Sequence, residues 1–189
     1  MSSESLVATP GQTIGPFFGF ALPYEGGEQL VPRGYPGAVR LTGLVLAGDG
    51  HPVPDAMIEI WQADADGRIA ARPGSLRRDG YTFTGWGRAA TDNSGRYSFT
   101  TVRPGPTSEG KLPFFAMAVF ARGLTNRLFT RAYLPASPDA IAVDRFLGSL
   151  PEERRRTLMA TEGGDELRFD VRLQGEEETV FLAFPGDAQ

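Results

Sequence analysis

The chain has 189 residues, 41% of them apolar and 22% charged, which is enough for one globular domain with a sizeable core. A net charge of −4, with arginines scattered and often beside acids, argues against a nucleic-acid partner. The absence of cysteine excludes disulfides, thiolate catalysis and cysteine-based metal sites.

The first five residues, Met1-Ser2-Ser3-Glu4-Ser5, have neither the basic nor the apolar segment of a secretion signal. No apolar run approaches the roughly 20 residues that a membrane helix needs, so a cytoplasmic location is expected, with no membrane contact. Residues 1–36 then differ in kind from the rest. The string Thr9-Pro10-Gly11-Gln12-Thr13-Ile14-Gly15-Pro16-Phe17-Phe18 follows neither helical nor strand periodicity. Its aromatics, with Phe20, Tyr24 and Tyr35, need apolar cover. An irregular arm packed on its own domain and an arm lying across a partner subunit both meet that need.

Residues 37–189 form the expected domain. Segments 39–46, 57–62, 96–102, 115–122, 128–134, 168–173 and 179–184 alternate apolar and polar residues, as half-buried strands do. Turn residues separate them, at Gly48-Asp49-Gly50, Asp64-Ala65-Asp66-Gly67 and Asp92-Asn93-Ser94-Gly95. The pattern predicts an all-β fold, an antiparallel β-sandwich with one or two short helices. Ser149-Leu150-Pro151-Glu152 reads as a capping box opening one helix, and residues 139–147 as a second short helical turn.

Most candidate motifs fail on inspection. His51 lies in the turn Gly50-His51-Pro52 with no motif around it, so a histidine-assisted nucleophile has no support. Asp64-x-Asp66-Gly67 begins like a calcium loop, but Ser75 stands where the bidentate glutamate should be. Gly85-Trp86-Gly87-Arg88-Ala89-Ala90 fits a dinucleotide loop only superficially, because a turn and a strand follow it instead of a helix. The run Glu176-Glu177-Glu178 reads as a solvated turn.

The remaining strings are specific when taken in order. Asp55-Ala56-Met57-Ile58-Glu59-Ile60-Trp61-Gln62-Ala63-Asp64-Ala65-Asp66-Gly67 resembles the intradiol ring-cleavage dioxygenases. So does Gly87-Arg88-Ala89-Ala90-Thr91-Asp92-Asn93-Ser94-Gly95-Arg96-Tyr97, running on to Arg103-Pro104-Gly105-Pro106. The arm motif at Thr9 to Pro16, the string Phe120-Ala121-Arg122-Gly123 and the C-terminal Arg168-Phe169-Asp170-Val171-Arg172-Leu173 are similar to the iron-free α chains of the two-chain, protocatechuate-cleaving members. The resemblance covers residues 8–184.

That resemblance implies a ferric, non-haem site of two tyrosines and two histidines in the catalytic chains, donors suited to ferric iron. Their positions fall here on Ile69, Thr107, Phe114 and Ala116, the last two with a possible slip of one residue. No metal is therefore expected on this chain, and no catalytic residue in this chain alone. The resemblance further implies a β-subunit partner that holds the ferric iron, and an assembly of several αβ pairs. Protocatechuate and dioxygen are the implied substrates and 3-carboxy-cis,cis-muconate the product. Thr13, Gly15 and Pro16 of the arm, with Arg122, are the implied substrate-pocket residues over the partner's iron. The residues themselves leave two other readings open, a metal-free binding module and a purely structural subunit.

Overall fold

The structure is a computed structural model that describes residues 13, 15, 17–70, 79 and 81–184. Among the described residues nine strands form two sheets. The first contains β1 (Ala38–Leu46), β4 (Arg96–Val102), β7 (Thr161–Gly163), β8 (Glu166–Arg168) and β9 (Val171–Arg172), in the order β4-β1-β8-β7 with β9 also on β1. The second has the order β3-β2-β5-β6, from β2 (Met57–Trp61), β3 (Trp86–Ala90), β5 (Phe114–Phe120) and β6 (Leu128–Tyr133). The core lies between the sheets. Leu41, Val45, Tyr97, Phe99, Leu167 and Val171 on one side meet Ile58, Ile60, Phe115, Met117 and Val119 on the other. Each such side chain contributes about 1.5–3 kcal/mol by leaving water.

The β-sandwich is as expected, but four local expectations are corrected. The pairing is mixed, because β8 and β9 run parallel to β1. The segment 168–173 is no single strand. It breaks between β8 and β9, where Phe169 N–H donates to Thr42 O at 2.8 Å and Leu44 N–H turns to the Asp170 carboxylate at 2.9 Å. Gly43 permits this approach, since a Cβ there would sit 1.8 Å from Phe169 O. The segment 179–184 stays irregular among the described residues. Its groups go to side chains and one bridge: Thr130 Oγ1 donates to Val180 O, Val180 N–H to Thr157 Oγ1, and Leu182 pairs with Phe129. The expected capping box does not form, because Ser149 Oγ donates backwards to Phe146 O at 2.7 Å.

The described residues include three short helices, α1 (Phe18–Ala21), α2 (Pro138–Val143) and α3 (Glu152–Arg156), with one 3₁₀ turn at Leu147–Ser149. The helix cap appears instead at Ser137, whose Oγ accepts Ala140 N–H at 3.3 Å with Pro138 in the first turn of α2. Strand β3 lies in the stretch whose glycines suggested a loop. Gly87 serves packing there, since a Cβ would meet Leu30 Cδ1 at 2.4 Å.

The described part of the N-terminal segment packs on this chain. Phe18 lies against Phe120, Tyr24 stacks on Trp86 with ring centres 6.0 Å apart, and Leu30 N–H donates to Thr100 O. Phe17 and Phe20 point into solvent. Residues 1–12, 14 and 16, and so Pro16, lie outside the described residues.

Tyr97 makes a buried bond across the break, its hydroxyl donating to Phe169 O. Burial, and secondarily the charge of Asp170, pushes its phenol well above the usual value near 10. An unfolded phenol ionises near pH 10 while the folded Tyr97 keeps its proton, so this contribution is complete below pH 10 and is lost as pH rises past it. Tyr97→Phe is expected to lower urea stability at pH 7 by about 1–3 kcal/mol. It should also flatten the loss of stability between pH 9 and 11, measured by denaturant unfolding at each pH.

Candidate functional site

Two turns meet backbone to backbone outside the second sheet. In the turn after β2, the Asp64 carboxylate accepts the N–H groups of Asp66 at 3.0 Å and Arg68 at 2.8 Å. Gly67 completes the turn with φ +81°. The chain leaving β4 passes against it, with Gly105 N–H donating to Asp64 O at 2.8 Å. Both glycines are sterically required. A Cβ on Gly67 would lie 2.0 Å from Pro106 O, and one on Gly105 would lie 2.4 Å from Ala65 O.

This clasp sets Ile69, which bridges to Ala63, and Thr107 at one rim of a cavity of about 160 Å³. The start of β5 supplies the opposite wall. There Phe114 and Ala116 face outward beside Trp61, while Phe115 and Met117 face the core. The four positions that the resemblance pointed to thus converge on one cavity, and strand parity turns Phe114 and Ala116 onto it while Phe115 and Met117 face the core.

The donor chemistry of that cavity does not fit ferric iron. Isoleucine, phenylalanine and alanine carry no ligand atom, and a lone threonine hydroxyl cannot hold the ion. The buried Gln62 beside it is engaged, with Nε2 donating to Val102 O at 2.9 Å and Oε1 accepting from Thr101 Oγ1. Among the described residues no group of three or more His, Cys, Asp or Glu side chains could hold a metal. The single histidine, His51, is exposed in the turn after β1, beside Asp49.

Thr13, Gly15 and Arg122 meet elsewhere, at the far end of β5. Thr13 Oγ1 accepts Gly123 N–H at 3.1 Å and Gly15 N–H at 3.4 Å. Arg122, largely exposed, pairs with Asp55 through Nε and Nη2. Among the described residues its Nη1 has no partner.

A protein-family model described as Dioxygenase matches residues 14–113, just over half of the chain. The chain is 37% identical to the protocatechuate 3,4-dioxygenase alpha chain of Burkholderia cepacia, over 94% of this chain and 98% of that protein. It belongs to the intradiol dioxygenase family. A second relative in the family is the protocatechuate 3,4-dioxygenase beta chain of Burkholderia cepacia, 32% identical over 82% of this chain and 70% of that one. The fold agrees with a solved family structure, the dioxygenase domain of a carbohydrate-binding fusion protein from Streptomyces sp. SirexAA-E. That comparison has a TM-score of 0.59 at 24% identity, covering 88% of this chain and 98% of that domain. Among the described residues no helix is long and apolar enough to cross a membrane.

Sequence reasoning missed Trp61, which lines this cavity, and Arg127 and Arg131 on the adjoining outer face of the sheet. Their signal was the two-residue period itself, which places Arg127, Phe129 and Arg131 on one face with the outward residues of β5.

If the four positions converge as described, the combined variant I69Y/T107Y/F114H/A116H supplies two phenolates and two imidazoles at one place. It is expected to take up about one ferric ion per chain with a visible phenolate-to-iron band. A folded variant without iron uptake would show that the positions do not form a common site.

Proposed function

We propose that this chain is the α subunit of a protocatechuate 3,4-dioxygenase, working with a β subunit that holds the catalytic ferric iron. The observation that carries this reading is the convergence of Ile69, Thr107, Phe114 and Ala116 on one cavity that offers no donor set for ferric iron. The likeness to an alpha chain over almost the whole of both proteins supports it. The complex, an assembly of αβ pairs in the cytoplasm, opens protocatechuate between its two hydroxyl-bearing carbons. Both atoms of dioxygen enter 3-carboxy-cis,cis-muconate. Iron, when bound in the β chain, supplies the centre on which the two hydroxyl oxygens are placed.

This chain's share is to shape and charge the far side of that pocket. Thr13, Gly15 and Pro16 bring backbone close without bulk, and Arg122 biases the pocket toward the ring carboxylate. Its geometry suits the task. Asp55 holds Nε and Nη2 and so orients the guanidinium plane, while the opposite edge is exposed. Phe17 and Phe20, 79% and 86% exposed on α1 nearby, offer apolar surface for the same subunit contact.

Arg122→Ala in the αβ complex should raise KM for protocatechuate about ten- to a hundredfold, the loss of one charge-assisted hydrogen bond. Turnover of catechol, which lacks the carboxylate, should not change. Steady-state kinetics with both substrates checks this, and an unaltered protocatechuate KM would remove Arg122 from the pocket.

A further inference from the structure

The donor-free cavity opens sideways onto a second, larger hollow that the proposed function does not use. Small residues on β5, Ala116 and Ala118, face outward between β2 and β6 and leave a depression of about 560 Å³ on the outer face of the sheet. It shares Trp61, Phe114 and Ala116 with the smaller cavity. Trp61 is half exposed there, so a tryptophan face joins an apolar lining that Phe129, Leu182 and Phe184 complete.

Three charged side chains reach this hollow, and they are not equivalent. Glu59 is half of a nearly buried pair, receiving both Nε (2.9 Å) and Nη2 (2.6 Å) of Arg88, so its charge is neutralised. Arg131 and Arg127 are cations with no carboxylate partner among the described residues. The Arg131 guanidinium lies 4.5 Å from the Phe114 ring centre and 5.5 Å from that of Phe146, and its Nη1 donates to Tyr133 Oη at 3.0 Å. Arg127 lies 4.9 Å from the Phe129 ring centre. Stacking fixes each guanidinium by its face and leaves N–H edges to receive an acceptor. The pairing register puts Arg131 directly opposite Ala116, so the missing bulk at position 116 is what uncovers it.

We propose that this hollow is a metal-free binding site for a small planar aromatic carboxylate. The ring lies against Trp61 and the alanine floor, and the carboxylate takes the edge of Arg131, with Arg127 as second cation. Ring and charge are both required. The apolar floor gives a bare inorganic anion nothing, and the two arginines distinguish an acid from its neutral analogue. The inference needs neither iron nor the β chain, so it stands or falls separately from the proposed function.

Benzoate is a suitable probe because it lacks the adjacent hydroxyls needed to chelate iron. Calorimetric titration of the full-length chain at low salt is expected to show saturable binding of one benzoate. Arg131→Met should weaken it about ten- to a hundredfold, and Arg127→Met, at an exposed position that leaves the fold intact, severalfold. Benzyl alcohol and sulfate should each bind at least tenfold more weakly than benzoate. The proposal is overturned by the absence of saturable benzoate binding, or by sulfate or benzyl alcohol binding as tightly. Unchanged affinity in a folded Arg131→Met chain overturns it too. If that variant melts early, unchanged affinity in Arg127→Met decides against it.

Discussion

The contact between the Gly67 turn and the Gly105 chain is the constraint on which the site depends. No side chain can stand at either position, because Pro106 O and Ala65 O already occupy the space. The contact ties the end of β2 to the end of β4, strands of different sheets, and so sets where Ile69 and Thr107 must lie. The same backbone frame therefore forms with or without metal donors at those two positions. The frame is the way this sandwich closes at that end, and the backbone needs it whatever residues 69 and 107 are.

Strand β5 links the two regions of interest and keeps them apart. Phe114 and Ala116 open it beside the clasp, and Arg122 follows its end beside Thr13. At about 3.3 Å per residue, Phe114 and Arg122 are some 26 Å apart along the chain. The cavity at Phe114 and the arginine edge therefore cannot serve one small ligand. A role for Arg122 needs a pocket completed by another chain, which is the geometry that the α-subunit reading requires. The aromatic hollow beside the cavity is a separate property of this subunit's own sheet.

Much of the fold was legible because period-two alternation and Gly/Asp turns report local geometry directly. The strands at 39–46, 57–61, 96–102, 115–120 and 128–133 all read this way. The misses share a cause, which is that long-range contacts overrode local pattern. Trp86–Ala90 was not read as a strand because only Gly87-Arg88-Ala89 could alternate there, yet Gly87 is small because Leu30 packs on it. The run at 168–173 looked continuous, but Gly43 and Asp170 break it where Tyr97 reaches Phe169. Ser149 had the form of a cap and bonded backwards, because the 3₁₀ turn before it offered the nearer carbonyl. Positions 69, 107, 114 and 116 were singled out only through likeness to a family, since nothing in Ile69 or Ala116 marks a site. Arg131 was overlooked because an arginine on an outward strand face reads as solvated until Ala116 is seen opposite.

The proposed function requires this subunit to shape an iron enzyme without holding the iron. Metal analysis of the full-length chain, purified without a β subunit and exposed to ferric iron, tests it most directly. A folded, colourless protein with far less than one iron per chain is expected. One tightly held ferric ion per chain with the purple-red band of a phenolate complex would contradict it.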